Sequence, residues 1–133
     1  MLKEFTIKTT KRCEFVDITH LVVEAVRRSG ITNGIVVVYC PHTTAGITIN
    51  ENADPSVVRD MDRKLSSLIE HEDPSYTHLE GNSDSHIKSS LIGPSQTLIV
   101  KEGSLLLGTW QGVYFAEFDG PRSRRLYVKV VEG

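Results

Sequence analysis

Cysteine is scarce in this chain, with only Cys13 and Cys40 among 133 residues. Two cysteines at that separation build neither a disulfide framework nor a C-x-x-C metal site, and they read as reduced, buried thiols. Long apolar runs are missing too. The longest, Ile35 to Cys40, is far short of the ~20 residues a membrane-spanning helix needs. No excess of either charge exists: Lys plus Arg is 15, Asp plus Glu is 17, and the formal net charge is −2. A dedicated nucleic-acid binder carries a clear basic excess, so that class is set aside, and no membrane partner is expected either. Met1-Leu2-Lys3-Glu4 leads into no apolar stretch of the signal-peptide kind, so a cytoplasmic location is the expectation. Also absent are a phosphate-binding Walker loop, a dinucleotide-binding glycine fingerprint, a Gly-x-Ser-x-Gly elbow, internal repeats and linkers.

What is present is a core. Leu, Ile, Val and Phe supply 39 of the 133 residues, which excludes disorder and suits a single domain over residues 1–133. Phe5 and Ile7 alternate with polar neighbours in a first strand over Lys3 to Thr9. Asp17 or Thr19 can cap a helix carrying Ile18, Leu21, Val22, Ala25 and Val26 at helical spacing, with Gly30 ending it. Gly34 to Cys40 is β-branched and almost wholly apolar, which predicts a central strand covered on both faces. Ala45 to Asn50 follows as a strand. Asp54-Pro55 then starts a helix reaching about Glu70, with Val58, Met61, Leu65, Leu68 and Ile69 along one face.

From His71 to Asn82 no periodicity survives, and so long an irregular stretch in a small domain is more often functional than filler. Ser83 or Asp84 can cap a short helix with Ile87 and Leu91 turned inward, stopping at Gly93-Pro94. The remainder is strand-rich: Thr97 to Val100, Leu105 to Leu107, Gly112 to Phe118 and Arg125 to Val131. The last two read as a hairpin turned through Asp119-Gly120-Pro121-Arg122. The whole predicts an α+β fold, three helices packed on a largely antiparallel sheet.

Chemistry-bearing side chains gather in three segments at strand ends and helix starts: Cys40 to Thr44, Asn50 to Asp54, and His78 to His86. Three imidazoles, His42, His78 and His86, suit a divalent metal such as Mg or Zn if folding brings them together. Without a metal they serve as general acids and bases or as hydrogen-bonded loop residues. His20 and His71 read as structural or solvated. Glu51 and Asp54 are candidate acid–base groups, although Asp54 is equally explained as a helix cap. Thr43, Thr44, Asn82 and Ser83 can offer hydroxyls, amides and backbone N–H groups to an anion. Lys88 and Arg122 are candidate phosphate ligands, whereas Arg124 and Arg125 read as a solvated strand end. Trp110 can stack on a flat ring or pack at an interface. A Cys40–His42 nucleophile pair is a weaker reading, since Pro41 lies between.

Three of these segments together resemble the YjbQ family, formerly the uncharacterised family UPF0047. They are Pro41 to Pro55, Gly81 to Gly93, and Leu107-Gly108-Thr109-Trp110-Gln111-Gly112-Val113 continuing through Glu117 to Arg122. The likeness spans essentially the whole chain, with the mild departure that Ser85 stands where an alanine is expected. It implies an α+β homotrimer associated with a secondary thiamine-phosphate synthase activity, which joins a hydroxymethylpyrimidine pyrophosphate to a thiazole phosphate and releases pyrophosphate. By that resemblance His42, His78, His86, Glu51 and Asp54 form the polar cluster, a site for metal or catalysis. Two other readings use the same cluster: a trimeric metal- or phosphometabolite-binding protein, and a metal-dependent hydrolase or lyase.

Overall fold

A computed structural model describes all 133 residues. Eight strands and three helices run in the order β1 (Leu2–Lys8), β2 (Glu14–Asp17), α1 (Thr19–Ser29), β3 (Gly34–Tyr39), β4 (Ala45–Glu51), α2 (Pro55–Leu68), α3 (Ser83–Ile92), β5 (Ser95–Lys101), β6 (Ser104–Leu106), β7 (Gln111–Glu117) and β8 (Ser123–Glu132). The α+β class and the antiparallel pairing are as expected, but there are two sheets rather than one. A five-stranded sheet has the order β1-β8-β3-β5-β6 and a three-stranded sheet the order β2-β7-β4. The short strand β2 was not foreseen. No helix is long and apolar enough to cross a membrane.

The core lies between the sheets. Val36, Val38, Leu98, Val100, Leu126, Val128 and Val130 point inward from the larger sheet to meet Ala45, Ile47, Val113 and Phe115 of the smaller one. Ile18, Val22, Ala25 and Val26 of α1 complete the cluster. Gly30 ends α1 at φ 68°, a conformation that costs glycine nothing. Asp17 Oδ1 accepts from the Thr19 N–H at 2.9 Å beside the start of that helix.

Four expectations need correction. Strand β3 is central, between β8 and β5, yet only alternate residues are buried; Ile35 and Tyr39 face outward, 42% and 45% exposed. An apolar run shows that a strand tolerates burial on both faces, and the single chain supplies a cover for one. Strands β7 and β8 do not form a hairpin, because the turn through Asp119 to Arg122 carries the chain from one sheet to the other. In α2 the apolar stripe is at most half-buried, with Leu68 exposed.

Most consequential is α3, whose inward face is polar. Asp84, Ser85, Lys88 and Ser89 are buried while Ile87 and Leu91 are exposed. Ser89 Oγ donates to the Ala45 carbonyl and Ser85 Oγ to that of Phe118, both at 2.6 Å. The helix sits so close to β4 that a Cβ on Gly46 would come within 2.6 Å of the Gly93 carbonyl oxygen. Close approach suits serines, which satisfy themselves on the sheet's carbonyls, better than branched apolar side chains.

Candidate functional site

The two sheets meet at one end through a pair of charges. Period-two alternation puts Glu117 on the same face of β7 as Val113 and Phe115, where it ends the row of inward side chains. Arg124 holds the matching position on β8. Arg124 Nε donates to Glu117 Oε1 at 2.8 Å, and a second, shorter bond joins Arg124 Nη2 to Oε2. Arg124 Nη2 also donates to Thr44 Oγ1 at 2.8 Å. Thr9 Oγ1 donates to Glu117 Oε1 at 2.8 Å, and the Asp119 N–H to Oε2 at 3.1 Å. Burial alone would raise the Glu117 carboxyl, but the Arg124 and Thr9 hydrogen bonds outweigh it and hold the group below the usual carboxylate range. Arg124, read from sequence as a solvated strand end, is 4% exposed.

Above this pair opens a cavity of about 420 Å³ lined by eleven residues, none of them hydrophobic. The loop after β3 contributes His42, Thr43 and Thr44; the irregular segment before α3 contributes His78, Glu80 and Asn82; α3 adds His86, and the β7–β8 turn and start of β8 add Asp119, Arg122 and Arg124. Asp119 organises the rim. Its Oδ2 accepts from Asn82 Nδ2 at 2.8 Å and from Arg122 Nη2 at 2.9 Å, while Arg122 Nε donates to its carbonyl at 2.7 Å. Asn82 Oδ1, by contrast, is buried with no donor facing it, the one side-chain N or O atom left so in the molecule. His78 and His86 stand edge to face, ring centroids 5.5 Å apart.

His42 is fixed at the level of a single proton. The Arg125 N–H donates to His42 Nε2 at 3.0 Å, so the neutral ring carries its hydrogen on Nδ1. Burial, then the charge of Arg124, lowers its affinity for a second proton. A metal ligand needs a free lone pair, and here the Nε2 pair is engaged while Nδ1 is protonated. No group of three His, Cys, Asp or Glu side chains is arranged to hold a metal ion. His42, His78 and His86 share one cavity, yet in this arrangement His42 offers no free lone pair to the divalent ion that three imidazoles would suit.

Of the residues singled out from sequence, His42, Thr43, Thr44, His78, Asn82, His86 and Arg122 therefore come together. Ser83 lines an adjoining hollow. Glu51 and Asp54 do not join them. Ala45 at the start of β4 pairs with Glu117, whereas Glu51 at its end pairs with Gln111, a strand length of ~20 Å away. There Glu51 Oε2 accepts from the Asp54 N–H and Asp54 Oδ1 caps α2 through the Ser56 N–H, so both are local structure. Trp110 is at the same far end, its carbonyl accepting from the Asn52 N–H. Lys88 is buried on the inward side of α3, 3.8 Å from Asp84 Oδ2 and Cys13 Sγ, and reaches no cavity. Cys40 is buried, burial pushes its thiol up to about 11, and the His42 Nε2 lone pair is taken by the Arg125 N–H rather than turned to the thiol.

Sequence reasoning missed Glu80, Asp119 and Glu117. Glu117 carried a signal nonetheless: an acid within the apolar run Val113 to Phe118 is an anomaly that burial permits only with a partner.

A family model described as UPF0047 protein YjbQ-like matches residues 3–133. The chain belongs to the YjbQ (UPF0047) family. A UPF0047 relative from Methanocaldococcus jannaschii is 61% identical over 98% of this chain and 94% of its own. YugU of Bacillus subtilis, another UPF0047 protein, is 55% identical over 98% and 99%. Among solved structures, an uncharacterised conserved YjbQ/UPF0047 protein from Clostridium acetobutylicum has a TM-score of 0.95 at 54% identity, covering 97% of this chain and 99% of its own. A protein of unknown function from Sulfolobus solfataricus reaches the same score at 32% identity, covering 100% and 97%. These YjbQ relatives establish the family and the fold, and the chemistry is left to the site.

Proposed function

We propose that this YjbQ protein is an enzyme acting on a small phosphorylated substrate, bound in the cavity between the β3–β4 loop, the start of α3 and the β7–β8 turn. The observation that carries this reading is the cavity's lining: two guanidiniums, three imidazoles and two threonine hydroxyls beside the carboxylates of Glu80 and Asp119, with no hydrophobic residue. Net charge is not the source of attraction, because Glu117 offsets Arg124 and Asp119 offsets Arg122. The draw on a phosphate is instead a concentration of donors: the outer edge of Arg122, the Thr43 and Thr44 hydroxyls and His42 Nδ1–H, of which Arg122, Thr44 and His42 are held in place by hydrogen bonds. Donors held in place beforehand do not have to reorganise when negative charge arrives. His78 and His86, adjacent but not bonded to each other's partners, are suited to give and take a proton at a substrate oxygen.

The named reaction is the one the family resemblance suggests, formation of thiamine phosphate from hydroxymethylpyrimidine pyrophosphate and thiazole phosphate. Its leaving pyrophosphate gains negative charge as the bond to carbon breaks, and Arg122 with a protonated imidazole would stabilise that charge. The test is product formation from the two precursors, with Mg²⁺ supplied as counter-ion to the diphosphate, using protein from a host lacking its own synthase. Wild type forms product and His86→Ala loses at least ~100-fold, the usual worth of a positioned general acid. Equal signals from both proteins would mean that the turnover arises elsewhere.

The homotrimer is proposed on separate grounds. The outer face of the five-stranded sheet leaves Ile35, Tyr39, Ile99 and Val131 each at least 41% exposed, and contiguous apolar surface of this kind commonly marks a subunit interface. Sedimentation should give three times the 14.8 kDa chain mass, and Ile35→Glu should return it towards the monomer. A monomeric wild type would end this reading.

A further inference from the structure

The open edge of the larger sheet is β1. Its neighbour on one side is β8, and no strand lies on the other. The bonds at its two ends fix the parity: the Val130 N–H donates to the Met1 carbonyl and the Thr9 N–H to that of Arg122, both at 2.9 Å. Odd-numbered residues of β1 therefore bond to β8, and the N–H and C=O groups of Leu2, Glu4, Thr6 and Lys8 point away from it. The other sheet edges are not comparable. Strands β6 and β2 are only three and four residues long. Strand β4 is covered, since its Ile47 N–H donates to the Gly93 carbonyl, and its Ile47 and Ala45 carbonyls accept from Gln96 Nε2 and Ser89 Oγ. Long edges are ordinarily blunted by a proline, a bulge or a covering element. Strand β1 has no proline and pairs with β8 without a bulge through all 7 of its residues. It also leaves Phe5 and Ile7 half-buried at the border of the core.

We propose that this edge docks the same edge of a second copy of the chain, antiparallel about a two-fold axis through Thr6. Backbone hydrogen bonds give such an edge its affinity and side chains its specificity, and here the side chains select the register. Even-numbered residues carry the free groups on both copies, so even must face even. With Thr6 opposite Thr6, Glu4 faces Lys8 of the second copy and Lys8 faces its Glu4. Sliding by two residues either way sets Thr6 opposite Glu4 or Lys8 and leaves no opposite charges facing. Sliding by four towards the amino end sets Glu4 opposite Glu4, which repels. Both charged groups have capacity to spare. Glu4 Oε1 accepts from Tyr127 Oη at 2.9 Å and lies 3.6 Å from Arg125 Nη1, which leaves Oε2 for a lysine. Lys8 stands beside Ser123 of β8 and meets no carboxylate of its own chain. In the same register Phe5 faces Ile7 of the second copy on the inner face, an aromatic and β-branched pair that covers both. The trimer uses the outer face around Ile35 and Ile99, so the two contacts are independent. Two facing strands make a small interface, and the pairing is reversible.

Sedimentation from about 1 µM to about 1 mM protein tests the proposal. The mass at dilution reports the face interface, and the expected result is that this mass doubles as concentration rises. Lys8→Glu and Glu4→Lys each raise the concentration needed for doubling by about tenfold or more. An equimolar mixture of the two variants doubles as the wild type does, because each then faces opposite charge at both positions. A folding defect would not be rescued by mixing. Thr6→Cys reads the register: a hydrogen-bonded antiparallel pair sets its Cα atoms about 5.5 Å apart, within disulfide reach, so oxidation cross-links two copies. Glu4→Cys lies too far along the strand from its counterpart to cross-link. The wild type, with only Cys13 and Cys40, is the control. A mass that stays constant with concentration overturns the second copy as occupant, leaves the edge to solvent or a foreign strand, and does not touch the face reading. A Glu4→Cys protein that cross-links as fast as Thr6→Cys overturns the register and the proposal with it.

Discussion

Two charged clusters flank α3, and they teach opposite lessons. In one, Arg12 grips Asp84 with two 3.0 Å bonds and donates to Ser85 Oγ, while Lys88 approaches the same carboxylate at 3.8 Å. Asp84 and Lys88 are buried there, the Arg12 side chain covers them at 32% exposed, and neither Asp84 nor Lys88 lines the cavity above Arg124 and Glu117. In the other, Arg124 and Glu117 are as deeply buried, yet their neighbours Thr44, Asp119 and Arg122 lead outward to a hollow edged by imidazoles and by an orphaned Asn82 oxygen. Buried charge is therefore a poor marker of a site by itself. The marker is hydrogen-bonding capacity left open towards space a ligand can fill.

The comparison breaks hardest at Asp84. Asp84→Asn leaves Arg12 and Lys88 without their shared carboxylate, and a partly or fully buried charge stripped of its partner costs about 3 kcal/mol or more. Urea denaturation should show that loss, while the protein that remains folded binds methyl phosphate as the wild type does. An Asp84→Asn variant of full stability would show that the cluster is solvated in solution. Arg122→Gln is the mirror experiment. Its side chain is 51% exposed, so the denaturation midpoint stays close to that of the wild type, while phosphate affinity falls by about tenfold or more with the loss of a charge-assisted bond. If stability falls instead and affinity does not, the two clusters have been assigned the wrong way round.

How far sequence reading reached follows from what each signal measures. Helix α1 was legible because its apolar spacing and its terminal glycine agree, and that helix enters the core. The inward face of α3 was not, since periodicity counts apolar residues and that face closes with serine hydroxyls, a lysine and an aspartate. The turn at Asp119 to Arg122 was recognised as a turn, but turn chemistry is local and does not tell whether the next strand joins the same sheet. Assembly of the cavity depended on that crossing, because it sets Arg124 opposite Glu117. His42, His78, Asn82 and His86 were legible as polar residues at strand ends and helix starts. Glu51 and Asp54 carried the same signal for a different reason, the capping of α2. No spacing rule separates a carboxylate that caps a helix from one that borders a site when both follow a strand.

The finest distinction between the clusters concerns one proton on His42. Its folded-state pKa lies below the ordinary 6.5 of histidine because of burial and the nearby Arg124 charge. As pH falls below 6.5 the unfolded chain takes up that proton first, so unfolding is favoured and stability declines until pH passes the folded value. The slope in that window approaches about 1.4 kcal/mol per pH unit for one proton. His42→Asn removes the titrating group, so its stability profile should be flatter than that of the wild type between pH 6.5 and the acid limb, where the carboxylates Glu117 and Asp84 begin to protonate. On that limb both proteins lose stability together as pH falls, since both carboxylates have depressed folded values. Parallel profiles throughout would show that His42 takes its proton as readily in the folded chain as in the unfolded one.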